Sequence, residues 1–422
     1  MAARNVSTKK REQGNLLDYI SRNDEALEIV KIMLSARPPE TLWRGVIAVP
    51  PGTLIEAIVT EFERSTNIPL EIPFFVFFHI VAGYLLQRGV SIKFENSNMD
   101  EALPDPWTVL LSSSGSGKTL TYKTIAGVSD DFKNLEWDVS GIAGAAKFVE
   151  DLASHNNTLM VRDEFNEFYK RLLDERGPMA EIRDYLLRIY SNQTVERSTK
   201  KETITVEKPA VAVLGMTVYE CFVRLLSLDD MMNGFAQRFS YIIAQKDPKR
   251  PARNYPIYRI NRMGWTEQWN KLKDAIKFTQ YISTDEAIQG YMISFNALFR
   301  DDIPESFMRR IMWRAHKYAL LYHILRGRGT MQEIEAEDYG WAARILSLQL
   351  HDALTLLTEH GASDLEKTIR SAETLITKLK RENRPVNARI LVSNIRAIKS
   401  IQEARTILQL LSSDTSPRAR AF

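Results

Sequence analysis

A mostly apolar run, Trp107 to Leu111, leads without a break into Ser-Ser-Ser-Gly-Ser-Gly-Lys-Thr at 112–119. No other pattern in the chain constrains its fold as much. A strand ends, a loop of small residues turns sharply, and a helix starts at once, which is the geometry of a phosphate-binding loop. In such a loop the backbone N–H groups of Ser114, Gly115, Ser116, Gly117, Thr119 and Leu120 point at phosphate oxygens, and the positive end of the helix dipole faces the same anion. Lys118 is then the expected partner of the β- and γ-phosphates, and the Thr119 hydroxyl the expected ligand of Mg²⁺. The usual pattern places Gly six residues before the Lys, where this chain has Ser112. That departure bears on the first turn of the loop, because Ser cannot take every backbone conformation open to Gly. Taken alone, the loop competes with a fortuitous Ser/Gly turn.

Downstream, Thr158-Leu-Met-Val-Arg-Asp-Glu-Phe165 carries three apolar residues toward two adjacent carboxylates. A buried parallel strand delivers acids to the C-terminal edge of a sheet in this way, beside the phosphate loop. Asp163 is expected to hold the Mg²⁺ hydration shell and Glu164 to act as general base on the attacking water. The competing explanation is an acidic pair at the N-terminus of the helix that begins near Asn166. Together, loop and acid pair point to hydrolysis of ATP or GTP.

The 422 residues suffice for a large core and for two or three domains. With 44% apolar and 26% charged residues, the composition excludes a disordered chain. Pro73 to Leu86 is the longest apolar run; it contains His79, is too short for a bilayer, and predicts a buried core helix. One cysteine, Cys221, rules out a disulfide framework, and no CxxC or HExxH spacing suggests zinc. A reducing compartment is the expectation. A net charge of +3 does not by itself argue for nucleic acid.

Periodicity and punctuation divide the chain further. A basic arm and first helix occupy 1–35, an α-helical region 36–104, and an α/β core 105–250. The strands of that core are expected at Trp107–Leu111, Asn134–Val139, Thr158–Arg162, Pro209–Gly215 and Phe239–Ala244. Strands alternating with helices imply a parallel sheet with helices on both faces. Past Asp247 the strand signal fades, and a helical lid or bundle is expected over 251–362. Residues 363–422 predict three short helices with a basic bias, resembling a helix-turn-helix or shortened winged helix.

Three further places carry candidate chemistry. Val195 to Val206 reads as a hairpin with Lys200 and Lys201 at its tip, suited either to a nucleic-acid backbone or simply to solubility. Thr217, at the end of the strand PAVAVLG, is a candidate γ-phosphate sensor or a helix cap. In Met232-Asn-Gly-Phe-Ala-Gln-Arg-Phe239, Arg238 is a candidate arginine finger for a neighbouring subunit's nucleotide or an ordinary surface arginine with an acidic neighbour. Arg309, Arg310, Arg314, His316 and Lys317 share a later helix but not one face of it, so some must lie near the core or an interface.

In order, SSSGSGKT, RDEF, the hairpin, PAVAVLGMT, NGFAQRF and FMRRIMWRAHKYALLYHI resemble an uncharacterised P-loop NTPase family of phage and plasmid primase-helicase proteins. The lysine-tipped hairpin ahead of the sensor strand is also similar to superfamily-three helicases. The resemblance covers roughly residues 35 to 360 and implies nucleotide roles for Lys118, Thr119, Asp163 and Glu164, a finger role for Arg238, and a DNA contact for Lys200 and Lys201. It implies a Mg²⁺- and ATP-dependent replicative helicase acting as a ring-shaped homo-oligomer, with a hexamer expected, on single-stranded DNA beside a separate primase or polymerase. No membrane partner is implied. An assembly or loading ATPase without unwinding activity is the alternative.

Overall fold

The computed structural model describes residues 49–96, 101–174, 176–198, 203–226, 234–247, 249–253, 259–260, 262, 264–298, 305–382, 384–395, 397–398 and 400–412. The basic arm, the helix expected before residue 36, and Lys200 and Lys201 lie outside them. Two compact units divide the described residues: one holds those up to Leu225 and from 229 to Leu354, the other Leu226 and those from Thr355 onward.

The first unit opens with α1 (Leu54–Ser65), whose N-terminus is capped by the Thr53 hydroxyl accepting from Glu56 N–H. After it comes α2 (Glu71–Gln87), buried from Glu71 to Leu86 on every side. A helix that is apolar all round must be enclosed by protein, as the run Pro73–Leu86 predicted. Then follow β1 (Ser91–Phe94), β2 (Trp107–Ser112), α3 (Lys118–Ala126), α4 (Asp130–Lys133), β3 (Glu136–Asp138), α5 (Ala145–Ser154), β4 (Thr158–Arg162), α6 (Phe165–Leu173) and α7 (Ala180–Tyr190). The chain continues through the antiparallel hairpin β5 (Val195–Ser198) and β6 (Thr203–Val206), then β7 (Val211–Val218), α8 (Tyr219–Leu225), a 3₁₀ turn at Ala236–Arg238 and β8 (Ser240–Ala244).

β2, β3, β4, β7 and β8 form one parallel sheet in the order β3-β4-β7-β2-β8. All five strands fall where the apolar runs placed them, and the α/β expectation holds at that level. Adjacent parallel partners share a face. The aromatic rings of Phe165, Tyr169 and Phe222 cover one face, with Phe165 against Gly215 and Phe222 against Tyr241. On the other, α2 is close-packed, Gly83 lying against Leu159. The edge strand β8 is covered: Ile243 N–H donates to the buried Asp352 carboxylate at 2.7 Å.

Beyond β8 lie α9 (Trp265–Ala275), β9 (Gln280–Ser283), α10 (Asp285–Leu298), α11 (Glu305–Leu325), β10 (Glu333–Ile334) and α12 (Ala336–Arg381). Here the all-helical expectation needs correction, because β1, β9 and β10 make a second parallel sheet. Strands of four, four and two residues are too short to register as alternation. The expected boundary at 362/363 falls inside a single helix, α12.

Within the second unit, α13 (Ala388–Asn394) and α14 (Ile401–Ser412) follow, and Asn387 caps α13 by accepting from Ile390 N–H at 3.1 Å. Its small core comprises Ala372, Leu391, Ile395, Ile398, Ala404 and Ile407. Among the described residues no strand accompanies these helices, so no wing hairpin is present there.

Candidate active site

β2 and β4 flank β7, and all three end at the same sheet edge. That edge gathers Lys118, Thr119, Asp163, Glu164 and Thr217. Two glycines in the loop after β2 sit at positive φ, Gly115 at 71° and Gly117 at 83°. At Gly117 a side chain is excluded twice over: a Cβ there would lie 2.5 Å from Ile68 Cδ1, and the backbone is left-handed. Ser112 takes an ordinary strand conformation as the last residue of β2, so the position where Gly is usual needs no special backbone.

Instead the Ser112 hydroxyl helps to hold the lysine. Lys118 Nζ donates to Ser112 Oγ at 2.9 Å, to Ser116 Oγ at 3.2 Å and to the Ser113 carbonyl at 3.3 Å. Ser112 and Ser116 are themselves 2.6 Å apart. Burial pulls the Lys118 ammonium below the ordinary lysine range, against the opposing charges of Asp163 and Glu220. An ammonium folded back onto loop oxygens at the mouth of a helix is positioned to receive an anion.

Next along α3, Thr119 donates its hydroxyl to Asp163 Oδ2, tying the loop after β2 to the acid pair after β4. The other oxygen, Asp163 Oδ1, accepts from Glu164 N–H at 2.9 Å. Glu164 is a non-glycine residue in the left-handed region, with φ of 51°, at the head of α6. Its side chain makes no capping hydrogen bond, which removes the simplest structural use for that carboxylate; it is exposed at the sheet edge. Strain of this kind, at a carboxylate beside a phosphate-type loop, fits a chemical use.

Thr217 sits opposite Leu111 on β7, and its hydroxyl donates to Asn166 Oδ1 at 2.7 Å. Asn166 Nδ2 donates in turn to Glu167 Oε1 at 2.9 Å. Asn166 was not singled out from sequence, nor was Glu220, because only the fold brings them to this edge. Among the described residues no group of three or more His, Cys, Asp or Glu side chains makes a metal cluster. One hydroxyl and one carboxylate, Thr119 and Asp163, with water and phosphate oxygens, suit Mg²⁺, which is commonly held that way.

Arg238 is elsewhere. β8 runs parallel to β2 with Thr108 opposite Ser240 and Ser112 opposite Ala244, so Arg238 precedes the first rung while the Ser/Gly loop follows the last. At 3.3 Å per residue the two are about 20 Å apart along the strands. The Arg238 guanidinium stacks over Tyr190 at 5.3 Å from the ring centroid and donates to the Gly234 carbonyl. Tyr190 packs edge-on against Trp107, the first residue of β2, at 5.2 Å.

The basic helix α11 meets the same edge. Arg314 Nη2 donates to the Gln237 carbonyl at 2.6 Å, and Arg310 to Gln237 Oε1. Lys317 pairs with the buried Asp105 at 2.6 Å and lies 5.1 Å from the Tyr190 centroid. Burial raises the Asp105 carboxyl above the usual carboxylate range, with Lys317 pulling the other way. Arg310, Arg314 and Lys317 follow i, i+4, i+7 spacing and form one stripe. His316 faces elsewhere and bonds to the Tyr339 hydroxyl at 2.6 Å. The hairpin also starts from this side: Asn192, three residues before β5, donates to Asp105 and to the Pro209 carbonyl.

Comparison with protein-family models gives no match, and comparison with curated protein sequences gives none. Among the described residues no helix is long and apolar enough to cross a membrane.

Proposed function

We propose that the chain is a Mg²⁺-dependent P-loop ATPase that works as a ring of identical subunits and moves along single-stranded DNA as a replicative helicase. One observation carries the nucleotide part: the Thr119 hydroxyl and the Asp163 carboxylate, from loops 44 residues apart, are hydrogen-bonded beside the anchored Lys118 ammonium. On this reading Lys118 leaves its serine partners for the β- and γ-phosphate oxygens, and the backbone N–H groups from Ser114 to Leu120 cradle them. Thr119 and Asp163 would hold Mg²⁺, which would supply neutralisation of the phosphate charge. Glu164 Oε takes the proton of the attacking water. Thr217 and Asn166 hold the polar groups that orient that water. The motor part rests on the hairpin beside the opposite edge, on Arg238 lying out of reach of its own chain's loop, and on the order of motifs.

ATP hydrolysis by the purified chain, measured with and without single-stranded DNA, tests this. Hydrolysis is expected, stimulated by the DNA, and lost in Lys118→Ala. Undiminished turnover in that variant would overturn the nucleotide reading. Hydrolysis indifferent to DNA would favour an assembly ATPase. In the Lys200→Ala, Lys201→Ala double variant basal hydrolysis should persist while DNA stimulation disappears.

A further inference from the structure

Guanidinium groups repel one another, and a pair gathered with no carboxylate among the described residues suits an anion. At the N-terminal edge of the main sheet, two of them converge on Gly234. A Cβ built on that glycine would lie 3.2 Å from Arg238 Nη1 and 3.6 Å from Arg310 Nη2. Neither arginine, nor Arg314 behind them, has an ion-pair partner among the described residues; the carboxylate present at this edge, Asp105, is taken by Lys317. Arg314 is 2% exposed, yet its Nε has no hydrogen-bond partner, and Arg238 Nε lacks one as well. The charge of Arg310, after burial, is among the causes that lower the affinity of Arg238 for its proton, a cost that an incoming anion reverses.

The groups are held, not loose. Gln237, itself buried, receives Arg310 on its side-chain oxygen and Arg314 on its carbonyl, so α11 and the 3₁₀ turn before β8 are locked together at the point where the guanidiniums meet. Tyr190 supports Arg238 from below. A planar fork fixed in place suits phosphate oxygens better than a flexible lysine does. The anion cannot be the chain's own triphosphate, which would lie at the far end of the strands.

We infer that Arg310 acts beside Arg238 as the second half of a two-arginine clamp, formed around Gly234, which receives the terminal phosphate of a nucleotide bound to a second copy of the chain. This rests on the nucleotide reading above. It adds a residue on a different element, α11, and makes that helix part of the subunit interface. A clamp of two forks stabilises the charge that develops on the γ-phosphoryl oxygens as the bond to the β-bridging oxygen breaks, water supplying the incoming oxygen and Glu164 accepting its proton.

Complementation tests it. Arg310→Ala should lower kcat on the order of 100-fold while the affinity of the dilute chain for a fluorescent ATP analogue stays unchanged, because its own loop is intact. Arg310→Lys, which keeps charge but loses the fork, should fall between parent and Arg310→Ala. Mixing Arg310→Ala with Lys118→Ala in equal amounts should restore about a quarter of the parental rate, the share of sites with one good loop and one good clamp after random assembly. Full activity in Arg310→Ala, or no recovery at any mixing ratio although both variants assemble, would overturn the inference and leave the nucleotide reading standing. A parent chain that does not hydrolyse ATP would overturn both. Loss of single-stranded DNA affinity by Arg310→Ala in the absence of nucleotide would assign the cluster to a nucleic-acid backbone, and so overturn the clamp.

Discussion

At the C-terminal ends of the strands the Lys118 ammonium rests on three oxygens and feels two nearby carboxylates; at the N-terminal ends the guanidiniums of Arg238 and Arg310 face a glycine and each other. The first edge sets a cation, hydroxyls and acids side by side, each already engaged by another. The second is cationic and lacks an acid to balance its arginines among the described residues. Charge is balanced within the first edge, whereas the proposed clamp balances the second only with an anion from outside the chain. A parallel sheet makes that separation unavoidable, since every strand sends its ends to opposite sides.

Substitutions can break or sharpen the contrast. The largest effect is expected at the first edge: Lys118→Ala should reduce ATP turnover on the order of 1,000-fold or more, read by phosphate release. Glu164→Gln should follow, at about 100- to 1,000-fold in kcat with nucleotide affinity kept, which equilibrium binding would check. At the second edge the largest cost to folding is expected at the buried ion pair. Lys317→Met leaves Asp105 buried without its partner and should lower stability by about 3–5 kcal/mol, measured by urea unfolding. A control lies away from both edges, at His79, which burial holds down to about 4. Folded His79 stays neutral where the unfolded chain's histidine charges, so stability should fall as pH drops from about 6.5 toward 4. His79→Phe should flatten that slope by on the order of 3 kcal/mol across the window. The smallest contrast is within the loop. Gly117→Ala should weaken nucleotide binding more than Gly115→Ala, because only the former meets Ile68, and adding Ile68→Ala should recover part of the difference.

Sequence legibility followed the same divide. The apolar runs at Trp107–Leu111, Thr158–Arg162 and Pro209–Gly215 located the three strands that converge on the first edge, which end at Ser112, Arg162 and Val218, because a doubly covered parallel strand must be almost continuously apolar. Lys118, Thr119 and Asp163 could be placed together from spacing, since each follows directly from one of those strands. Asn166 and Glu220 could not; their nearness to Thr217 and Lys118 depends on which strand lies between which. The second edge was barely legible. Arg238 stood out as a residue before a strand, but its distance from the loop follows from the register of β8 on β2. The stripe Arg310, Arg314, Lys317 was readable as helical spacing, and what it faces was not. The short strands of the small sheet escaped for want of length.

The enclosure of α2 has a consequence for synthesis. The helix leaves the ribosome before β4, β7 and β8, on which it packs, and before Trp341, whose ring meets Phe74 and Phe78. At ordinary elongation rates an apolar cylinder therefore waits roughly 10–50 s for its covering. During that interval it is a natural client for a chaperone, and severing the chain between this helix and the strands would leave both halves sticky.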